Sequence, residues 1–346
     1  MQQRPFRILS IDGGGIRGIF PAMFLANLEA ELKAKGQEKT QVWQHFDLIA
    51  GTSTGGILAI ALALDMPAHE IARLYIDNAA SIFGKKRGFF TRFTYAAHNR
   101  EFLEHLLRSK FKSLHNGDDP LLRDCKTNVC VPIYDLMQGK PSVLKNNYHP
   151  AFVRDYHIPA YQAALATSAA PTYFDPYSAK YTDLKGIEQT FSNKVDGGVF
   201  ANNPSLLAII EAQKAFGQKL ENIQVLSIGT GHQKFADACS RTRWGIGYWM
   251  LQGDRKRLIE LFMQGQSQQV QNLISLLHRG IDRQEGENFI YKRIDTELDE
   301  SCSIELDEIK RSKLEKLSEK AGIEFQNSGN EIIKMLHVNL DNKVAP

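Results

Sequence analysis

Two units of the form β-strand, glycine-containing loop, α-helix within the first 64 residues constrain this chain most strongly. The first joins the apolar run Phe6–Ile11 to a helical pattern over residues 19–32. The second joins an apolar run over residues 46–50 to a helical run over residues 57–64. Strands connected in this way pair in parallel, and a parallel sheet is covered by helices on both faces. The pattern therefore predicts an α/β fold around a parallel sheet.

The length of 346 residues exceeds what one domain of this kind needs. From about residue 237 the composition becomes helical and more charged, and an apolar stripe at helical spacing is formed by Leu306, Ile309, Leu314 and Leu317. We predict an α/β domain over residues 1–235. A mainly helical C-terminal region over residues 236–346 would pack on it and is a candidate regulatory segment.

Composition excludes several classes of protein. The 42 Lys and Arg residues against 39 Asp and Glu residues give a net charge of +3, which does not favour binding to a nucleic-acid polymer. The most apolar window, residues 57–64, is far shorter than the roughly 20 residues of a transmembrane helix. The N-terminus lacks a secretory signal, and the four cysteines lack metal-ligand or disulfide spacing. We expect a cytoplasmic protein without a metal or cofactor, which contacts membranes only peripherally.

The sharpest chemical signal is the motif Gly51-x-Ser53-x-Gly55 between a predicted strand and a predicted helix. A tight strand-to-helix turn exposes the serine hydroxyl, and the glycines allow the backbone to make that turn. The N–H groups at the start of the following helix favour negative charge near the serine. We predict that Ser53 is a nucleophile.

A second loop, Asp12-Gly13-Gly14-Gly15-Ile16-Arg17-Gly18, also follows a strand. Successive glycine N–H groups can stabilise an oxyanion or a phosphate. The spacing Gly13-x-Gly15-x-x-Gly18 also matches the dinucleotide-binding fingerprint, although the acidic residue expected after a second strand is missing. A nucleotide-binding protein that does not use Ser53 is therefore an alternative.

The third loop, Asp196-Gly197-Gly198, could supply the base that a nucleophilic serine requires. Another arrangement is the triad Ser53, Asp196 and His232, in the chain order of α/β-hydrolases. His232 follows a predicted strand, but the serine motif comes unusually early for that fold.

These three loops, in this order, resemble those of the patatin-like phospholipase family over residues 7 to about 230. The resemblance extends to the segments 167–171 and 227–231. It implies a three-layer α/β/α fold with a mainly parallel central sheet and hydrolysis of phospholipid acyl esters by a serine–aspartate dyad. By position, Ser53 would be the nucleophile and Asp196 its base. The N–H groups of Gly13, Gly14 and Gly15, supported by Arg17, would form the oxyanion hole.

Two further features concern the membrane and regulation. Residues 85–93 combine four cations with three aromatic rings, a composition suited to an anionic lipid surface at the inner face of the membrane. A second basic and aromatic cluster consists of Arg241, Arg243, Trp244, Trp249, Arg255, Lys256 and Arg257. The length and plan are similar to those of patatin-like anti-phage effectors, which implies a cyclic dinucleotide as activator. The oligomeric state is left open.

Overall fold

A mixed β-sheet forms the centre of the structure, a computed structural model that describes residues 4–84, 95–233, 245, 249, 257–280, 289–298 and 303–337. Within these residues the strands are β1 (Phe6–Ile11), β2 (Leu48–Gly51), β3 (Asn128–Asp135), β4 (Lys140–Lys145), β5 (Tyr177–Thr182), β6 (Glu188–Asp196), β7 (Ile223–Ile228) and β8 (Ile290–Ile294). The helices are α1 (Ile19–Ala34), α2 (Thr54–Ala63), α3 (Ala68–Phe83), α4 (Glu101–Leu114), α5 (Ala160–Thr167), α6 (Gly198–Ala201), α7 (Ser205–Ala215), α8 (Arg257–Gly280) and α9 (Arg311–His337).

The strand order is β5-β6-β3-β2-β1-β7-β8, and β4 pairs with β3 outside this path. The five strands from β3 to β8 in this order run parallel, whereas β4, β5 and β6 add antiparallel pairs. The loops after β1, β2, β7 and β8 therefore meet at one edge. β6 arrives from the opposite direction and ends at Asp196 opposite Ile133, beyond the last residue of β2. This arrangement brings Asp196 to the same edge as Ser53.

Alternating side chains of the strands separate the core into two layers. Leu9 and Ile11 pack with helices α1, α2, α3, α5 and α9 on one face. Ile8 and Leu48 pack with α7 and α8 on the other face. The predicted three-layer α/β/α fold with a mainly parallel central sheet is confirmed. None of the helices in the described part of the chain combines the length and the apolarity needed to cross a bilayer.

The C-terminal part of the chain is built into the same fold. β8 pairs in parallel with β7, so the region beyond residue 235, predicted to be mainly helical and packed on the α/β domain, also contributes a strand to the sheet. α9 packs along α1, where the rings of Phe24 and Phe325 meet edge to face at 5.4 Å. The predicted apolar stripe is wrong in part, because Leu306 and Ile309 precede α9 and Ile309 is exposed.

A buried ion-pair network attaches β8 to the loop that follows β1. Arg293 donates two hydrogen bonds to Asp12, at 2.9 and 2.7 Å, and further bonds to Asp295 and Ser227, both at 2.8 Å. Burial raises the pKa of the Asp12 carboxyl, and the charge and hydrogen bonds of Arg293 oppose that rise. Since Asp12 begins the glycine loop, this network fixes the start of the loop against the sheet.

We predict that Arg293→Met lowers the free energy of unfolding by about 3–5 kcal/mol, because it leaves Asp12 buried without its cation. The loss should be larger at pH 8 than at pH 5. A carboxyl whose pKa is higher in the folded than in the unfolded protein contributes stability only while protonated, and that contribution disappears as the pH rises. Urea unfolding at both pH values measures the effect.

Arg311→Met is the matched control. Arg311 pairs with Glu315 on the surface of α9, and its side chain is 70% exposed. Its loss should change the free energy of unfolding by less than about 0.5 kcal/mol at either pH. Equal, small effects of the two substitutions would contradict the structural importance of the Arg293 network.

Candidate active site

Ser53 occupies the tight turn between β2 and α2. Its backbone has φ 56° and ψ −124°, a conformation that non-glycine residues rarely adopt, and its side chain is almost fully buried. A Cβ atom at Gly55 would collide with the backbone carbonyl of Ile11, and one at Gly51 would collide with that of Gly55. Both glycines thus allow the start of α2 to lie directly against β1 and β2, with Ser53 at the apex of the turn.

Hydrogen bonds from neighbouring elements hold this turn, and the sequence patterns did not reveal them. The N–H of Ser53 donates to the Thr167 hydroxyl oxygen at 3.1 Å, and that hydroxyl donates to the carbonyl of Pro132 at 2.8 Å. The Thr52 hydroxyl donates to the carbonyl of Ala201 at 2.6 Å. Thr167 lies in one of the segments used for the family resemblance, which was the available signal.

Asp196 meets Ser53 at the end of β6. Its side chain is buried and lines the same pocket as Ser53, while the N–H of Gly198 donates to its Oδ1 at 2.7 Å. Burial raises the pKa of the Asp196 carboxyl to about 7, and the hydrogen bonds from Ser53 and Gly198 limit the rise. A carboxyl with such a pKa is a far better base near neutral pH than a solvated aspartate.

The glycine loop runs alongside this pair. A Cβ atom at Gly13 would lie 3.2 Å from the Cβ of Ser53, so the absence of a side chain keeps the serine accessible. The N–H of Gly13 donates to the carbonyl of Asn202 at 3.0 Å, which removes it from the predicted set of oxyanion donors. The N–H groups of Gly14 and Gly15 make no hydrogen bond to any described residue.

Arg17 is brought to the far side of this loop. Its side chain lines a polar cleft that contains neither Ser53 nor Asp196, and it is nearly buried. Its predicted support of the oxyanion hole stays a prediction, and from this place it would act only through the position of the loop. The N–H of Ile16, next to Arg17, donates to the carbonyl of Leu306 at 2.9 Å, so the segment before α9 also holds the loop.

His232 lies in the polar cleft, apart from Ser53 and Asp196. Its Nδ1 is 3.6 Å from Oδ2 of Asp295, and the interaction with this carboxylate raises the pKa of His232. The Asp295 carboxyl is buried, which opposes ionisation, but Arg293 and then His232 lower its pKa to about 2. The geometry does not assemble the alternative triad, because His232 is paired with Asp295 while Asp196 is paired with Ser53.

An apolar pocket opens beside Ser53, and we call it the acyl pocket. Asp196 and Gly15 lie at its polar end with Ser53. The remaining wall is largely apolar and includes Ile57, Ile82, Phe83, Leu103, Tyr173, Phe174, Ile259, Met263 and Leu306. This surface suits a hydrocarbon chain placed next to Ser53. The described residues contain no group of three His, Cys, Asp or Glu side chains placed to hold a metal ion.

Two predicted features fall outside the described residues. The basic and aromatic segment 85–93 is one of them. The other is the second basic cluster, of which only Trp249 and the backbone of Arg257 are described.

Comparisons with known proteins agree with this geometry. The sequence profile of the family described as patatin-like phospholipase matches residues 9–209. A cGAMP-activated phospholipase of Escherichia coli is 32% identical over 90% of this chain and 86% of its own length. A cGAMP-activated phospholipase of Vibrio cholerae is 34% identical over 73% of this chain and 72% of its own length.

The similarity also extends to plants. Patatin-like protein 2 of Arabidopsis thaliana is 30% identical over 96% of this chain and 84% of its own length. The matched region contains all three loops that meet at the sheet edge, from the glycine loop to Asp196. The chain therefore belongs to the patatin-like phospholipase family of lipid acyl hydrolases.

Proposed function

We propose that this enzyme cleaves acyl esters of membrane glycerophospholipids through a Ser53–Asp196 dyad and an acyl-enzyme. The observation that carries the proposal is the placement of Ser53 and the buried Asp196 together in one pocket, where the pKa of the Asp196 carboxyl is raised to about 7. A serine hydroxyl becomes a nucleophile only beside a base, and Asp196 is a base matched to neutral pH. The adjoining acyl pocket supplies the apolar surface that a fatty acyl chain needs.

In the first half-reaction Asp196 accepts the proton of Ser53 as its Oγ attacks the ester carbonyl. The developing oxyanion accepts hydrogen bonds from the spare N–H groups of Gly14 and Gly15, each typically lowering such a barrier by about 3–4 kcal/mol. As the tetrahedral intermediate collapses, the protonated Asp196 gives its proton to the departing lysophospholipid alkoxide. A water molecule, deprotonated by Asp196, then releases the fatty acid and restores Ser53.

The substrate resides in a bilayer, so we propose that the enzyme contacts the membrane peripherally at its inner face. An acyl chain must leave the bilayer to reach Ser53, and the acyl pocket offers an apolar surface to receive it. The basic and aromatic segment 85–93 follows α3, whose last residues Ile82 and Phe83 line this pocket. That position in the chain supports a role of the segment in lipid contact.

We also propose that a cyclic dinucleotide activates the enzyme, as part of defence against phages. The support is the similarity over most of the chain to two bacterial proteins named cGAMP-activated phospholipases. The plant relative of comparable identity carries no such designation in its name. Activation is therefore a property to be tested for this chain separately from hydrolysis.

We predict that Ser53→Ala and Asp196→Asn each lower phospholipid hydrolysis by more than about 10³-fold, since the nucleophile and its base act as a unit. His232→Ala should retain hydrolysis within about tenfold, because His232 is paired with Asp295 outside the acyl pocket. Release of fatty acid from phosphatidylglycerol vesicles measures all three variants. Labelling by a fluorophosphonate probe reports on the nucleophile directly.

His232→Ala is the control, because His232 is paired with Asp295 and not with Asp196. A loss in His232→Ala as complete as that in Ser53→Ala would contradict the dyad and restore the triad. Retention of hydrolysis in Ser53→Ala would instead favour the alternative in which the glycine loop binds a nucleotide and Ser53 is dispensable.

We predict that kcat/KM for a short-chain ester falls below an apparent pKa of about 7, in proportion to the protonated fraction of Asp196. The carboxyl must be ionised to accept the serine proton, and burial holds its pKa at about 7. Activity should therefore decrease about tenfold per pH unit on the acid side. A profile flat down to pH 5, in a protein that stays folded there, would contradict the role of a buried carboxyl base.

A further inference from the structure

A polar cleft on the far side of the glycine loop has no part in the dyad chemistry. It measures about 330 Å³ and lies at the carboxyl ends of β1, β7 and β8, under the side of α8. Small-molecule sites usually measure about 300–1,000 Å³ and occur at such edges of α/β sheets. The cleft is thus of a size and in a position to hold a small polar ligand.

Amide side chains of α8 line one wall of this cleft. Gln264, Gln268 and Gln271 follow the spacing i, i+4, i+7, which places them on one face of the helix. None of the three side chains makes a hydrogen bond to a described residue. A carboxamide presents a donor and an acceptor side by side, which matches the edge of a nucleobase.

Two buried polar atoms of the cleft residues also lack partners. The Oδ1 of Asn202 and the Nε of Arg17 are buried and make no hydrogen bond to any described residue, and both residues are more than nine-tenths buried. A buried polar atom without a hydrogen bond destabilises the folded protein unless a water or a ligand supplies the missing partner. A guanidinium can donate in parallel to O6 and N7 of guanine.

The strongest cation among the described residues of the cleft is already paired. Arg293 is bound by Asp12 and Asp295, so its guanidinium is neutralised within the protein. A ligand of the cleft therefore meets the amides of α8 and the side chain of Arg17 rather than the charge of Arg293. The hydrogen-bonding edge of a purine base suits such partners.

We propose that the cleft binds a purine base of a cyclic dinucleotide and is the activator site. The proposal rests on the regulation put forward under the proposed function. The base would lie against the amides of Gln264 and Gln271, with Arg17 on its O6/N7 edge. The phosphates would remain at the mouth of the cleft.

The same elements connect the cleft to the catalytic loops. Asn202 donates through its Nδ2 to the Ser267 hydroxyl of α8 at 2.9 Å, and its carbonyl accepts the Gly13 N–H. The N–H of Asn203 donates to Oε1 of Gln266 at 2.8 Å. Met263 lines both the cleft and the acyl pocket. A ligand that binds to α8 and shifts it would therefore change the position of the glycine loop and the width of the acyl pocket.

The test measures cGAMP binding by titration calorimetry on the full chain carrying Ser53→Ala, so that binding is read without turnover. We expect binding to this protein. In the same background, Gln264→Ala with Gln271→Ala should weaken the affinity by more than about tenfold, since two hydrogen bonds are lost. Gln269→Ala, an exposed amide of α8 outside the cleft, is the matched control and should bind within about twofold.

The thermal midpoint of each variant verifies folding, and the single variant Gln268→Ala replaces the double variant if that one unfolds. Absence of cGAMP binding to the Ser53→Ala protein, or equal affinities of the cleft and control variants, would overturn the proposal. A higher KM for phospholipid vesicles, measured on the same cleft variants with Ser53 restored, together with unchanged cGAMP affinity would also overturn it and identify a headgroup site. Selective loss of binding in a chain that hydrolyses no phospholipid would uphold the site and reject the proposed function.

Discussion

The strained backbone of Ser53 is the constraint on which the catalytic arrangement depends. A residue with φ 56° outside glycine costs about 1–3 kcal/mol, and such strain persists only where the surroundings determine it. Here the glycines at 51 and 55 allow the backbone of α2 to approach two strands, and Thr167 accepts the N–H of the strained residue. The turn therefore holds the Ser53 hydroxyl in one position, next to Asp196 at the end of β6.

Contacts from the C-terminal part of the chain hold the glycine loop that lies beside Ser53. Arg293 in β8 holds Asp12, and the carbonyl of Leu306 accepts the N–H of Ile16, so residues far along the chain fix both ends of the glycine loop. The loop in turn borders Ser53 on one side and the polar cleft on the other. Any event that moves α8 or the segment before α9 is transmitted to the glycine loop through these contacts.

Short-range sequence patterns predicted the strands whose burial depends on residues close together in the chain. Phe6–Ile11 and Ile223–Ile228 are mostly apolar and buried along their whole length, and the structure has both strands at the expected bounds. β8 escaped prediction because its sequence, IYKRI, mixes charges with apolar residues, and its Arg293 is stable in the interior only beside Asp12 and Asp295. The hairpin β5–β6 is half exposed and lacks a continuous apolar run.

The site residues also divide into those that short-range spacing predicts and those that depend on distant contacts. Ser53 and the glycine loop follow from spacing, which also offered Asp196 as a base, whereas a dyad of Ser53 and Asp196 without a histidine was implied only by the family resemblance. The roles of Asn202 and Thr167 could not be found in sequence, since each depends on a contact between residues more than 100 positions apart.

The most direct test of the dyad is the identity of the acylated residue. Phosphatidylglycerol vesicles mixed with the activated enzyme and quenched in acid should give a peptide over residues 51–56 that has gained the mass of one acyl chain. Asp196→Asn should remove that adduct. An acyl group found instead on Ser168, the other serine of the acyl pocket, or rapid hydrolysis that leaves no acylated Ser53, would contradict the account.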